Sequence, residues 1–221
     1  MATVKEREGK RKKSSTSSAI EFFVIVGVAI GLAFGIQKFL VKPFRIPSPS
    51  MVPTLKVGQR VLVNRLGPHF GDPSRGDIVV FKPPRGADPS VDRCGNPVEP
   101  DDGRACEVPT PDQSSSNFIK RVVAVPGDWL EIKNNRVYLA KSANGPFKEQ
   151  NEPFINKADK ACDPPLCNLR KPIQIPPGHF FMMGDNRAQS DDSRKWGPVP
   201  KKWIIGRAFF TYWPPDRIGT L

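Results

Sequence analysis

Apolar positions follow two regimes along this chain. From Phe22 to about Val41 they form an almost unbroken run, interrupted only by Gln37 and Lys38 near its far end. As a helix that run spans about 30 Å, the thickness of one bilayer core. Beyond Lys42 the apolar residues come in short groups rich in β-branched and aromatic side chains, separated by Pro, Gly, Asn and Asp. That is the pattern of β-strands joined by turns. It predicts strands at 60–64, 77–81, 118–125, 129–133, 136–140, 172–175, 179–183 and about 203–213. Asn134-Asn135 is expected to turn a hairpin, because asparagine tolerates the positive φ that a two-residue turn demands. Two stretches break the strand pattern, about 83–117 and 141–171, and are expected as irregular insertions on the surface.

The chain therefore divides into a charged, serine-rich tail over 1–18, a transmembrane helix over 19–41, and a mainly β domain over 42–221 built from antiparallel sheets. The formal charge of +12 does not alter this picture. Lys5, Arg7, Lys10, Arg11, Lys12 and Lys13 crowd the segment before the apolar run, where they hold the tail in the cytoplasm and send the β domain to the other side of the cell membrane. With no nucleic-acid motif elsewhere, a nucleic-acid partner is not expected. The run is too long for the apolar region of a cleavable leader, and Val41-Lys42-Pro43-Phe44-Arg45 offers no small-x-small site. Gly27, Gly31 and Gly35 recur every fourth residue and leave room for a partner helix, although glycine is also common in membrane helices.

Cys94, Cys106, Cys162 and Cys167 fall on the outer, oxidising side, so disulfides are expected. Three pairings are possible; Cys94 with Cys106 and Cys162 with Cys167 are favoured because each closes a short loop. The only histidines, His69 and His179, stand in no metal-ligand spacing with a cysteine, and neither a metal nor a cofactor is expected.

Candidate chemistry begins at Pro47-Ser48-Pro49-Ser50-Met51-Val52-Pro53-Thr54-Leu55, a few residues past the apolar run. Its prolines disfavour helix and present Ser48 and Ser50 to one side of an extended strand or turn. A serine needs a base to become a nucleophile, and neither histidine belongs to a triad motif. Lys120 is the alternative. On a strand at 118–125 it shares a face with Phe118, Val122 and Ala124, and if that face turns inward, burial lowers its pKa toward the range of a general base. In 184–194, a segment dense in polar side chains, Ser190 is placed to orient Lys120, and Asp192 to pair with Arg194; a solvated turn is the plainer reading.

Four blocks together carry a resemblance: Phe44 through Leu55, Arg75 through Phe81, Phe118 through Asp128, and Gly184 through Arg194. In their order the chain resembles bacterial signal peptidase I, the membrane-bound peptidase that removes signal peptides from exported preproteins. The resemblance implies Ser50 as nucleophile, Lys120 as general base, and an oxyanion hole made by the Ser50 backbone N–H and the Ser48 hydroxyl. It further implies that Ser190 supports Lys120, that Asp192 and Arg194 hold the loop, and that Phe44, Ile46, Met51, Leu55, Phe118 and Ile119 line shallow apolar pockets selecting small residues of the Ala-X-Ala type. Pro49 departs from the smaller residue of many relatives, and the two cysteine-bearing insertions lie outside the shared blocks. Its expected partners are membrane lipid and preproteins emerging from the export machinery. Trp196, Trp203, Tyr212 and Trp213 fit either the lipid headgroup region or the core. Two rivals remain: a self-cleaving repressor-type Ser/Lys protease, and a non-enzymatic envelope protein that binds peptides on the same scaffold.

Overall fold

The computed structural model describes residues 15–66, 71–89, 91, 94–95, 106, 108–155, 167–169 and 171–221, with side chains throughout except at 15–18 and 36–39. His69, Cys162 and the basic residues before 15 lie outside the described residues. The chain forms two units, Met1–Leu40 and Val41–Leu221.

The first unit contains helix α1, Ser15–Phe39. Its described apolar side chains are turned outward, from Ile20 at 60% exposed through Phe23 at 72% to Phe34 at 68%. Nothing lies within 4 Å of the space beside Gly27, Gly31 or Gly35. Among the described residues, no helix is long and apolar enough to cross a membrane. The helix also stops earlier than the apolar run suggested. Val41, expected as its last residue, instead opens strand β1 (Val41–Arg45), antiparallel to β2.

The second unit is mainly antiparallel β. After β1 come β2 (Arg60–Asn64), β3 (Ile78–Phe81), β4 (Phe118–Ala124), β5 (Trp129–Lys133) and β6 (Arg136–Ala140). They are followed by β7 (Lys148–Glu149), β8 (Ile173–Gln174), β9 (His179–Met183), β10 (Val199–Pro200), β11 (Ile204–Trp213) and β12 (Gly219–Thr220). One short helix, α2 (Ser193–Trp196), precedes β10. The larger sheet has the order β1-β2-β11-β3-β4-β9-β10, with β12 paired to β11; the smaller has the order β7-β6-β5-β8. Asn134 and Asn135 turn the β5–β6 hairpin with φ of 48° and 64°, as asparagines at such a turn should.

Both faces of β4 are covered. Val79, Phe81, Val122, Phe180, Met182 and Trp196 form one apolar cluster, and Ile46, Met51, Leu55, Val61, Val80 and Ile119 belong to a second. A third joins Val123, Ala124, Phe181 and Met183 to the smaller sheet through Leu130, Ile132 and Ile175. Strand β4, between β3 and β9, is thus a central strand whose polar side chains lose water whichever way they point.

Candidate active site

Between β1 and β2 the chain makes a loop closed at its base by backbone bonds from Ile46 N–H to Gln59 O and from Gly58 N–H to Ile46 O, both 2.8 Å. At the tip Ser48 is extended (φ −133°, ψ 159°) and Pro49–Met51 forms a single 3-10 turn, closed by Val52 N–H to Pro49 O at 3.0 Å. The prolines exclude a longer helix, but a first turn accepts proline because the missing N–H would have no partner there. Met51 and Leu55 are wholly buried beneath the turn and fix it to the core. Ser50 is buried, and Ser48 Oγ lies 3.1 Å from Ser50 Oγ. The two hydroxyls share a side, as expected, because of this turn rather than strand alternation.

Lys120 reaches the same point from β4. Its Nζ donates to Ser50 Oγ at 2.7 Å and to Ile119 O at 3.1 Å, and the residue is 3% exposed. Burial pushes the ammonium down from an ordinary 10.5 to about 8, while the Asp192 carboxylate pulls it partly back. An amine so placed is neutral in a useful fraction of molecules near neutral pH and stands within proton-transfer distance of a hydroxyl.

The 184–194 segment braces this pair. A Cβ on Gly184 would stand 2.3 Å from Ser190 Oγ and 2.4 Å from Ser50 O, so only glycine fits between the two serines. Gly184 N–H donates to Asp192 Oδ2 at 3.1 Å. Asp192 caps α2 by accepting Arg194 N–H at 3.1 Å, and also takes Arg194 Nε and Nη2, each at 2.8 Å. Burial alone would raise the Asp192 carboxyl, but the Arg194 guanidinium outweighs it and holds the group below the usual carboxylate range. Arg194 also donates from Nη2 to Arg187 O at 2.8 Å and from Nη1 to Asn135 Oδ1 at 3.0 Å. The segment is therefore a buried polar scaffold, not a solvated turn.

Some expected roles are not what the geometry brings together. The buried Ser190 hydroxyl is engaged with Asp192, whose carboxyl it helps to hold low, and the hydrogen bonds of Lys120 go to Ser50 and Ile119. Ser190 touches the site through Gly184. Of the six residues expected to line substrate pockets, Ile46, Met51, Leu55 and Ile119 are buried in one apolar cluster. Phe44 and Phe118 are partly exposed, and Phe118 packs in the neighbouring cluster edge-on to Trp196, with ring centroids 5.5 Å apart. Trp196 and Trp203 are buried; Trp213 is half exposed. His179 is engaged locally, its Nδ1 2.9 Å from Pro177 O.

The insertions are more than surface elaborations. Cys94 pairs with Cys106, and Cys106 is buried against Gly197, where an added Cβ would meet Cys106 O at 2.2 Å. The first insertion therefore seats itself against the end of α2. Cys167 is also disulfide-bonded. From the second insertion, Glu152 forms a buried ion pair with Arg187, whose Nε donates to Gly184 O at 3.0 Å, and the Phe154 ring lies 3.9 Å from the Arg121 guanidinium.

Sequence reasoning passed over Arg121, Asp185, Asn186 and the Glu152–Arg187 pair. Arg121, next to Lys120, places Nε 2.8 Å from Asp185 Oδ1 and Nη2 2.6 Å from Asp185 Oδ2, and its Nη1 donates to Gly76 O at 2.7 Å. Thr54 Oγ1 donates to Asp185 Oδ2 at 2.5 Å, tying the serine loop to the same carboxylate. The available signal was a charged residue inside an otherwise apolar strand, a position that demands a counter-charge.

The model of the family described as signal peptidase, peptidase S26, matches residues 19–213. The chain belongs to that family. Signal peptidase I of Leptolyngbya laminosa is 35% identical over 205 residues, covering 93% of this chain and 85% of that one. A probable signal peptidase I-1 of Synechocystis sp. is 37% identical over 194 residues, covering 88% and 82%. A probable thylakoidal processing peptidase 2 of Arabidopsis thaliana is 34% identical over 194 residues; these are 88% of this chain but only 43% of the plant protein, so the chain spans less than half of that relative. Among solved structures, a signal peptidase I from Enterococcus faecalis V583 matches at 23% identity and a TM-score of 0.39 over 62% of this chain and 97% of that one, too loosely to bear on the site. Membership of peptidase S26 makes the chain a serine peptidase, a hydrolase.

Proposed function

We propose that this signal peptidase family member is a membrane-anchored endopeptidase that removes N-terminal signal peptides from exported preproteins, cutting after small residues of the Ala-X-Ala type. The observation that carries the mechanism is the 2.7 Å contact between Ser50 Oγ and a buried Lys120 Nζ. Neutral Lys120 takes the Ser50 proton as Oγ attacks the scissile carbonyl carbon. Charge develops on the carbonyl oxygen, facing the Ser50 N–H and the Ser48 hydroxyl. The Lys120 ammonium then returns the proton to the leaving amine, and the signal peptide remains as an ester on Ser50. Water, deprotonated by the same lysine, hydrolyses that ester. Apart from that water and the substrate, the groups that act are side chains and backbone of this chain.

The pH dependence follows from the lysine. With a pKa of about 8, roughly a tenth of molecules hold the neutral form at pH 7. Cleavage of a preprotein by the full chain in detergent should climb about tenfold per pH unit below about 8 and level off above it. The product termini, read by mass spectrometry, should lie after a small residue. A rate that is flat from pH 6 to 9, or peptide binding without cleavage, would count against the lysine base; the second outcome is that of the peptide-binding rival.

Anchoring rests on α1. Nine of its large apolar side chains between Ile20 and Phe34 are exposed, and a surface of that kind marks a lipid or protein contact. Together with the preceding basic residues it supports an N-terminus in the cytoplasm and the β domain beyond the membrane. The full chain mixed with lipid vesicles should stay with them through alkaline carbonate washing. Recovery in the supernatant would remove the anchor.

A further inference from the structure

The turn that carries Ser50 is held from behind by one side chain with no role so far. Asn186 is 4% exposed. Its backbone N–H donates to Ser50 O at 3.0 Å, and its side-chain Nδ2 donates to Pro49 O at 3.2 Å and to Gln189 Oε1 at 3.3 Å. Pro49 O can only accept, so the amide nitrogen, not the oxygen, must face it. The same carbonyl also receives Val52 N–H at 3.0 Å, which occupies both of its lone-pair directions.

Pro49 C=O and Ser50 N–H are the two ends of one planar peptide unit. Bonds accepted at the oxygen fix the tilt of that plane and so fix where the N–H points. They also draw electron density toward the oxygen, which makes the N–H a stronger donor, since chained hydrogen bonds polarise one another. We propose that Asn186 is a positioning residue for the oxyanion hole: by donating to Pro49 O it aims and strengthens the Ser50 N–H at the other end of that peptide. This rests on Ser50 and its amide acting as read above. Among the described residues the buried Asn186 Oδ1 atom has no hydrogen-bond partner, so the side chain sits there at a cost, as expected if its donor end serves a purpose.

Such a role belongs to the transition state alone, and that sets the test. Asn186→Ala removes the donor; Asn186→Asp keeps the volume but faces Pro49 O with acceptors. The full-length variants are compared with wild type in detergent on one preprotein, with rates normalised to the folded fraction. Both should lose about 10- to 50-fold in kcat, less than the ~10²–10³-fold for deleting an oxyanion donor outright. KM should stay within about twofold, and the pH midpoint should not move in Asn186→Ala, which adds no charge near Lys120. Affinity for a peptide aldehyde, whose adduct on Ser50 carries a tetrahedral oxygen, should fall by the same factor as kcat/KM. Affinity for the same peptide with a reduced, uncleavable scissile bond should be unchanged. Unaltered kcat or a loss carried by KM in either variant, or a displaced pH midpoint in Asn186→Ala, overturns the proposal. Failure of the wild type to form the aldehyde adduct would instead sink the Ser50 reading, and the role of Asn186 with it.

Discussion

Lys120→Arg is expected to stop cleavage, lowering kcat by at least about 10⁴-fold, as does Ser50→Ala, because each removes one half of a unit that acts together. The arginine variant keeps a positive charge and a donor near Ser50 Oγ, so a loss this large isolates the one property that it lacks. Guanidinium does not deprotonate at working pH and cannot accept the serine proton. Lys120→Met separates loss of function from loss of fold. Between pH 8 and 10.5 the unfolded lysine holds a proton that the buried one has shed, so the wild type gains stability as pH rises through that window and carries the whole penalty below it. The penalty is about 3 kcal/mol at ~1.4 per pK unit. At pH 6, Lys120→Met should therefore unfold no more readily than wild type in chemical denaturation while remaining inactive. Near-normal turnover by Lys120→Arg would end the lysine-base mechanism, and a Lys120→Met variant much less stable than wild type would show that burial is not what lowers this pKa.

Asp185→Ala should have the largest effect on the fold itself. The carboxylate is wholly buried and satisfies two nitrogens of Arg121 and the hydroxyl of Thr54. Removing it leaves a permanent cation uncompensated in the interior, which costs about 3–5 kcal/mol. Arg121 cannot escape by losing its proton, and it remains tied to Gly76 O and stacked on Phe154. The double variant Asp185→Leu with Arg121→Met should regain much of that loss, because an apolar pair of similar size has no charge to bury. Activity should not return with it, since Asp185 stands between Gly184 and Asn186, the residues that fit against the Ser50 turn. Calorimetry of the two variants decides this; a midpoint within a degree or two of wild type for Asp185→Ala would show the pair to be dispensable.

These two predictions also mark what the sequence disclosed. Lys120 was legible because it interrupts an apolar strand, and the strands at 60–64, 129–133, 136–140 and 179–183 were legible because turn residues bound them on both sides. Alternation gives Lys120 and Arg121 opposite sides, and it normally means that one of them is wet. Only the sheet order, which sets β4 between β3 and β9, reveals that both are dry. Arg121 finds its counter-charge 64 residues away and Arg187 finds Glu152 at a separation of 35, distances at which no local pattern speaks. Strand β1 was not foreseen, and its first residue was placed in the helix, because Val41 continues the apolar run. The favoured Cys94–Cys106 pairing is the one formed, but nothing in its spacing said that Cys106 would lie against Gly197.

The two outermost strands of the larger sheet, β1 and β10, each carry a proline, Pro43 and Pro200. Each rim therefore lacks an amide that a visiting strand would need, and β10 is only two residues long. A serine peptidase with such borders is poorly suited to nucleate the polymerisation of extended chains along them, and copies of it crowded together have little purchase for zipping edge to edge.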